Sequence, residues 1–140
     1  MRESIIQISL RKRVFATVFM LGVCLRLQAM DRWSALSQME SCDNDRAIGH
    51  AGEISRYQIK PRVWQRYASP KADWENPQDA LVVVKTAMRV RCAAFERTSH
   101  RSPTDLEFYV LWNAPAQVWR PTKVVLARAK RFCNLVRIEY

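Results

Sequence analysis

The sequence predicts a mainly α fold: a compact helical domain with one polar loop or short hairpin after its first helix. Three observations point there. Asn76-Pro77-Gln78-Asp79 and Ser102-Pro103-Thr104-Asp105 have the composition of helix starts, with a capping residue, a proline near the first turn and an acid to meet the helix dipole. Apolar residues recur three or four positions apart over most of the chain after residue 30, the period of a helix with one buried face. Only residues 43–56, polar and carrying Gly49 and Gly52, invite a short sheet.

Taken in order, residues 31–42 read as a helix capped by Asp31, with Trp33, Leu36, Met39 and Glu40 on one side. The polar loop follows. Lys60-Pro61 turns the chain into a short helix over 63–67, and 69–75 connect it to the next start signal. A helix from Asn76 to about Arg97 would bury Leu81, Val84, Met88, Cys92 and Phe95. The signal at Ser102 opens another, with Leu106, Tyr109, Val110 and Asn113 on related faces. Arg120-Pro121 begins a last helix with the stripe Val125, Ala129, Phe132, Cys133 and Val136. No internal repeat or low-complexity segment interrupts the pattern.

The first residues have a different character. Arg11-Lys12-Arg13 precedes twelve residues, 14–25, that are apolar except for Thr17 and Gly22, and then Leu27-Gln28-Ala29. A basic stretch, a short apolar core and a small final residue describe a secretory signal peptide. The apolar run falls short of the roughly 20 residues that span a bilayer. Residues 1–29 are therefore expected to be a cleaved leader and 30–140 the working domain, exported to the periplasm or outside the cell, with no membrane span left after cleavage. Of the net charge of +10, residues 30–140 keep +6, from 18 basic and 12 acidic side chains. An exported basic domain suits an anionic envelope polymer at least as well as nucleic acid. No long Lys/Arg block follows the leader, so no nucleic-acid partner is expected.

Cys42, Cys92 and Cys133 remain after the leader. In an oxidising compartment one pair would bridge and leave a free thiol; which pair is open. Cys92 and Cys133 also read as small core residues on helices. A zinc site from the three thiols with His50 or His100 has no Cys-x-x-Cys spacing behind it.

Two carboxylates carry the chemistry. Glu40 shares its helix side with apolar residues and sits near the helix C-terminus, where the dipole disfavours negative charge. Both influences push a carboxyl pKa upward and make it a usable general acid. Glu53, thirteen residues on, opens the run Glu53-Ile54-Ser55-Arg56-Tyr57-Gln58-Ile59. Paired carboxylates across a groove are the equipment for glycosidic cleavage. Glu53 reads equally as a loop ion pair with Arg56 or Arg46. Trp64, Trp74, Trp112 and Trp119 are candidates to stack on sugar faces, although in so small a domain most belong to the core.

Residues 39–64 resemble the lysozyme-like superfamily, most closely the soluble lytic transglycosylases. The elements that carry the likeness are Glu40-Ser41, Asn44, Ala47, the Gly-rich turn at 49–52, Gln58-Ile59 and Pro61. Downstream, Tyr109-Val110-Leu111-Trp112-Asn113-Ala114-Pro115 is similar to that family's helix-ending Tyr-Asn-Ala-Gly, with Asn113 and Ala114 on its Asn and Ala. The chain departs from the pattern at Trp112, where the family has Tyr, at Pro115 for Gly, and at Ser55-Arg56-Tyr57 for Gly-Leu-Met.

The resemblance implies a lysozyme-like α+β domain that cleaves the β-1,4 bond between N-acetylmuramic acid and N-acetylglucosamine in peptidoglycan glycan strands; apart from it, a monomer without metal or cofactor is expected. It implies Glu40 as acid/base and Ser41, Tyr57, Gln58, Tyr109, Trp112 and Asn113 in or beside the sugar groove. With Trp112 in place of Tyr, a phenol to bond Glu40 must come from Tyr109 or Tyr57. Lytic transglycosylases work with one carboxylate, the sugar's own hydroxyl closing an anhydro ring. Animal-type lysozymes add a second carboxylate five residues before the Gln, where Glu53 stands. The expected outcome is transglycosylation ahead of hydrolysis. The rival reading is a peptidoglycan-binding or interaction domain that keeps the fold without catalysis.

Overall fold

The computed structural model describes residues 29–137, so the expected leader lies outside the described residues except for Ala29. Among the described residues five α-helices follow one another: α1 Arg32–Ser41, α2 Pro61–Tyr67, α3 Pro77–Ser99, α4 Asp105–Asn113 and α5 Lys123–Val136, with a 3-10 turn Pro115–Gln117 after α4. The mainly helical expectation holds.

Caps set the starts. Asp31 accepts from the Trp33 and Ser34 N–H groups, and Asn76 from those of Gln78 and Asp79, as read from the sequence. The last two starts are corrected. α4 is capped by Thr104, not Ser102, because Glu107 completes a capping box with Thr104. α5 is capped by Thr122, whose hydroxyl accepts from Val125 N–H, so Pro121 stands before the helix.

α4 is the central element. Phe108, Tyr109, Val110, Leu111 and Trp112 are all buried, so the helix is covered on every side rather than on one stripe. α5 lies against it. Phe132 stacks on Phe108 with ring centroids 6.0 Å apart and tilts against Tyr109 at 5.3 Å. From α1, Trp33 meets Phe108 edge-on at 5.4 Å, and Leu36 is fully buried. α3 contributes Ala80, Val83, Val84, Ala87, Met88 and Phe95 to the same core. Leu81 and Cys92, expected inside, are only half-buried. α2 packs on α3. The Arg32 Nε donates to Asp105 Oδ1 at 2.8 Å and ties α1 to the start of α4.

The loop between α1 and α2 folds back on itself without forming a strand. Ile54 bridges antiparallel to Ile48 on one side and to Ile59 on the other. Gly49 N–H donates to Glu53 O at 2.7 Å, and Ile59 N–H to Ile54 O at 2.8 Å. The tight turn between those bridges needs left-handed backbone at Ser55 (φ 67°) and Gln58 (φ 50°).

Candidate active site

Glu40 is the next-to-last residue of α1, and its side chain is only 6% exposed. Two partners from distant elements hold it. Tyr109 Oη, on α4, donates to Glu40 Oε1 at 2.7 Å. Arg128 Nη2, on α5, donates to Oε2 at 3.2 Å. Arg128 Nε also donates to Tyr109 Oη at 2.9 Å, closing a triangle of carboxylate, phenol and guanidinium.

These neighbours act on the Glu40 proton in opposite directions. Burial penalises the charged form and is the largest influence; Tyr109 and Arg128 favour the anion; Glu53 opposes it. Burial prevails, and the carboxyl titrates above its ordinary value. The ion pair pulls the other way but does not reverse this, because Arg128 is 42% exposed and its charge is partly screened by water. Tyr109 is held well above the usual phenol range by burial and by the carboxylate it bonds.

Glu40 opens onto a cleft of about 340 Å³ whose walls include Glu53, Gln58, Trp112, Asn113 and Arg128. Two carboxylates thus share one concavity, one enclosed by the protein and one on the loop. Neither loop ion pair read for Glu53 forms. Arg56 bonds Asp45 at 2.5 Å, Arg46 pairs with Glu75 at 3.0 Å, and Glu53 Oε2 accepts from Ala51 N–H at 3.0 Å. Gly49 makes the approach of the two loop side chains feasible. A Cβ there would lie 2.5 Å from Glu53 Oε2 and would also strike Gln58 Oε1.

No family model, curated protein or solved structure matches this chain.

Of the residues singled out in the sequence, Glu40, Glu53, Gln58, Trp112 and Asn113 come together at the cleft. Three do not belong to its open wall. Tyr57 is buried in the core and borders a separate hollow with Trp33 and Asp43, because the turn at Ser55 rotates it inward. The Ser41 hydroxyl is spent on the loop backbone, donating to Arg56 O at 2.8 Å and accepting from Asn44 N–H at 3.0 Å. Tyr109 has no exposed surface, so it positions Glu40 instead of touching a ligand. One face of Trp112 is covered by the Arg91 guanidinium, 5.2 Å from the ring. Trp119 is 56% exposed but stacks on Phe95 away from Glu40, and His50 is exposed in the loop.

Cys42, Cys92 and Cys133 are all free thiols, so neither bridge nor pairing forms among the described residues. Burial pushes the Cys92 and Cys133 thiols up. No described helix is long and apolar enough to cross a membrane.

Arg128 is the residue the sequence reading missed. It lies on the α5 face between Val125 and Phe132, among many other basic residues, and nothing local marks it. Its partners are 19 and 88 residues away.

Proposed function

We propose that this domain, once exported, cleaves the β-1,4 bond between N-acetylmuramic acid and N-acetylglucosamine in peptidoglycan, with Glu40 as general acid/base. The observation that carries the reading is Glu40 itself. It is a nearly buried carboxyl, fixed through both oxygens, titrating above its ordinary value and opening onto a cleft with a second carboxylate. Protonating the leaving glycosidic oxygen needs a carboxyl that holds its proton above the ordinary carboxylate range, and burial of Glu40 acts in that direction. As a strand displaces water from the cleft, burial of Glu40 increases and the proton is held more firmly. Arg128 yields Oε2 to the glycosidic oxygen while Tyr109 keeps Oε1 in place. Glu53 then faces the positive charge that develops at the sugar's anomeric carbon. An anhydro-forming outcome is favoured over hydrolysis, on the closer likeness of the segment 39–64 to lytic transglycosylases.

The second reading is a domain that binds peptidoglycan without cutting it. The Glu40–Arg128 pair favours it, since a carboxylate engaged with a cation is also a strut between α1 and α5. One experiment separates the two. Purified peptidoglycan is incubated with the protein and with Glu40→Gln, and the soluble products are analysed by mass spectrometry. Anhydro ends from the unaltered protein alone support transglycosylation, and reducing ends support hydrolysis. Equal cleavage by both proteins removes Glu40 from the mechanism. Binding without cleavage establishes the second reading.

A further inference from the structure

The cleft has a cationic edge that general acid chemistry does not use. Besides the two carboxylates, its walls carry Lys60, Arg62, Arg91 and Arg128. Arg128 is matched by Glu40. The other three have no carboxylate partner among the described residues. Arg91 is fixed: its Nη1 donates to Leu111 O and Trp112 O, both at 2.9 Å, and the guanidinium rests over Trp112. Both acceptors are neutral carbonyls, so the charge of Arg91 stays uncompensated. Arg62 lies close enough for its charge to oppose that of Arg91. Like charges lining one wall repel one another, and an anion placed between them relieves that repulsion.

We propose that Lys60, Arg62 and Arg91 form an anion-binding edge of the Glu40 cleft that takes a carboxylate carried on a glycan strand. The inference rests on the glycan-cleaving reading and adds a demand to it: the sugar chain must bear acid substituents. In a strand of alternating N-acetylglucosamine and N-acetylmuramic acid, every second sugar has a lactyl carboxylate. Chitin oligosaccharides have the same β-1,4 backbone of N-acetylated sugars and no charge. A guanidinium forks onto a carboxylate through two parallel N–H bonds, while a lysine contributes a point charge. Arg62 is thus the main reader, Lys60 reinforces it, and Arg91 supplies background field from its fixed seat. The cleft then selects for the acid sugar by charge and leaves the shared backbone to Gln58 and Asn113.

The test compares two ligands on the full domain with Glu40 intact, so that Arg128 keeps its partner. Peptide-free muramic-acid-containing strands and a chitin oligosaccharide of equal length are titrated in the cold, before cleavage accumulates. The unaltered protein should bind the acid strand about tenfold more tightly, a preference that shrinks as salt is raised. In the double variant Lys60→Gln/Arg62→Gln the preference should vanish while affinity for the neutral oligosaccharide stays the same. Both side chains are exposed, and a circular-dichroism melt checks that the variant folds. Equal affinity of the unaltered protein for the two ligands overturns the charged edge alone. Preference that survives in the double variant overturns its assignment to these residues. Absence of binding to either ligand overturns the glycan reading itself and this inference with it.

Discussion

Tyr109 Oη and Glu40 Oε1 lie 2.7 Å apart although 69 residues separate them in sequence. The bond joins the end of the first helix to the middle of the most buried one. It gives the carboxylate a fixed orientation from a side chain that has no room to turn.

Tyr109→Phe keeps the ring against Phe132 and removes only the hydroxyl. Glu40 Oε1 and Arg128 Nε each lose a partner, which should lower unfolding free energy by about 1–2 kcal/mol in a urea titration. The lost bond had favoured the anion, so the Glu40 carboxyl should titrate still higher. Carbon-labelled glutamate followed by NMR reads this directly; an unmoved titration curve would count against the triangle.

Arg128 tests the pH dependence. Between 4.5, the ordinary value, and its raised value in the fold, Glu40 binds a proton that the unfolded chain has released. Stability therefore falls as pH rises through that window. Arg128→Met removes the cation that limits the upward shift, so the window extends to higher pH. The variant should be less stable by about 1–2 kcal/mol at neutral pH and should match the unaltered protein once both carry a protonated Glu40, towards pH ~4. In a cleavage assay the alkaline limb of the pH profile should move upward. Identical pH–stability curves would sink the assignment.

Gly49→Ala probes the loop. The added methyl group meets Glu53 and Gln58, and one or both must leave the cleft wall. Affinity for glycan strands should drop about tenfold while the melting temperature changes little, because the displaced side chains are half-buried loop residues outside the core. A melt lowered as much as affinity would mean that the loop is a structural element first.

Glu107 gives a control far from the cleft. Its carboxyl is pushed down to about 2, first by the Arg101 guanidinium, with the Thr104 contacts adding to it. This contribution is present above 4.5 and is lost as pH falls towards 2. Glu107→Gln retains a capping side chain but no charge. It should melt a few degrees lower at neutral pH, and the two melting curves should converge in acid.

What the sequence made legible follows the range of the forces involved. Asp31 and Asn76 act within three residues of themselves, so their helix starts could be read directly. At Ser102-Pro103-Thr104 two capping residues stand side by side, and Glu107, present in the sequence, decides between them by completing its box with Thr104. Glu40 was legible because an acid on an apolar stripe is a local anomaly. Arg128 was not, since a basic residue on an amphipathic helix is ordinary until the opposite helix is in place. Tyr57 was placed in the groove, or against Glu40, by the likeness to the family, but positive φ at Ser55 and Gln58 turns Tyr57 into the core and leaves Gln58 at the cleft.

The counter-charge of the candidate acid resides on the last helix of the described domain. A nascent chain whose synthesis has not passed residue 128 holds Glu40 without its guanidinium. The side chain that ties the end of α1 to α5 is thus among the last described residues to be made, and the triangle with Tyr109 closes only once α5 has docked.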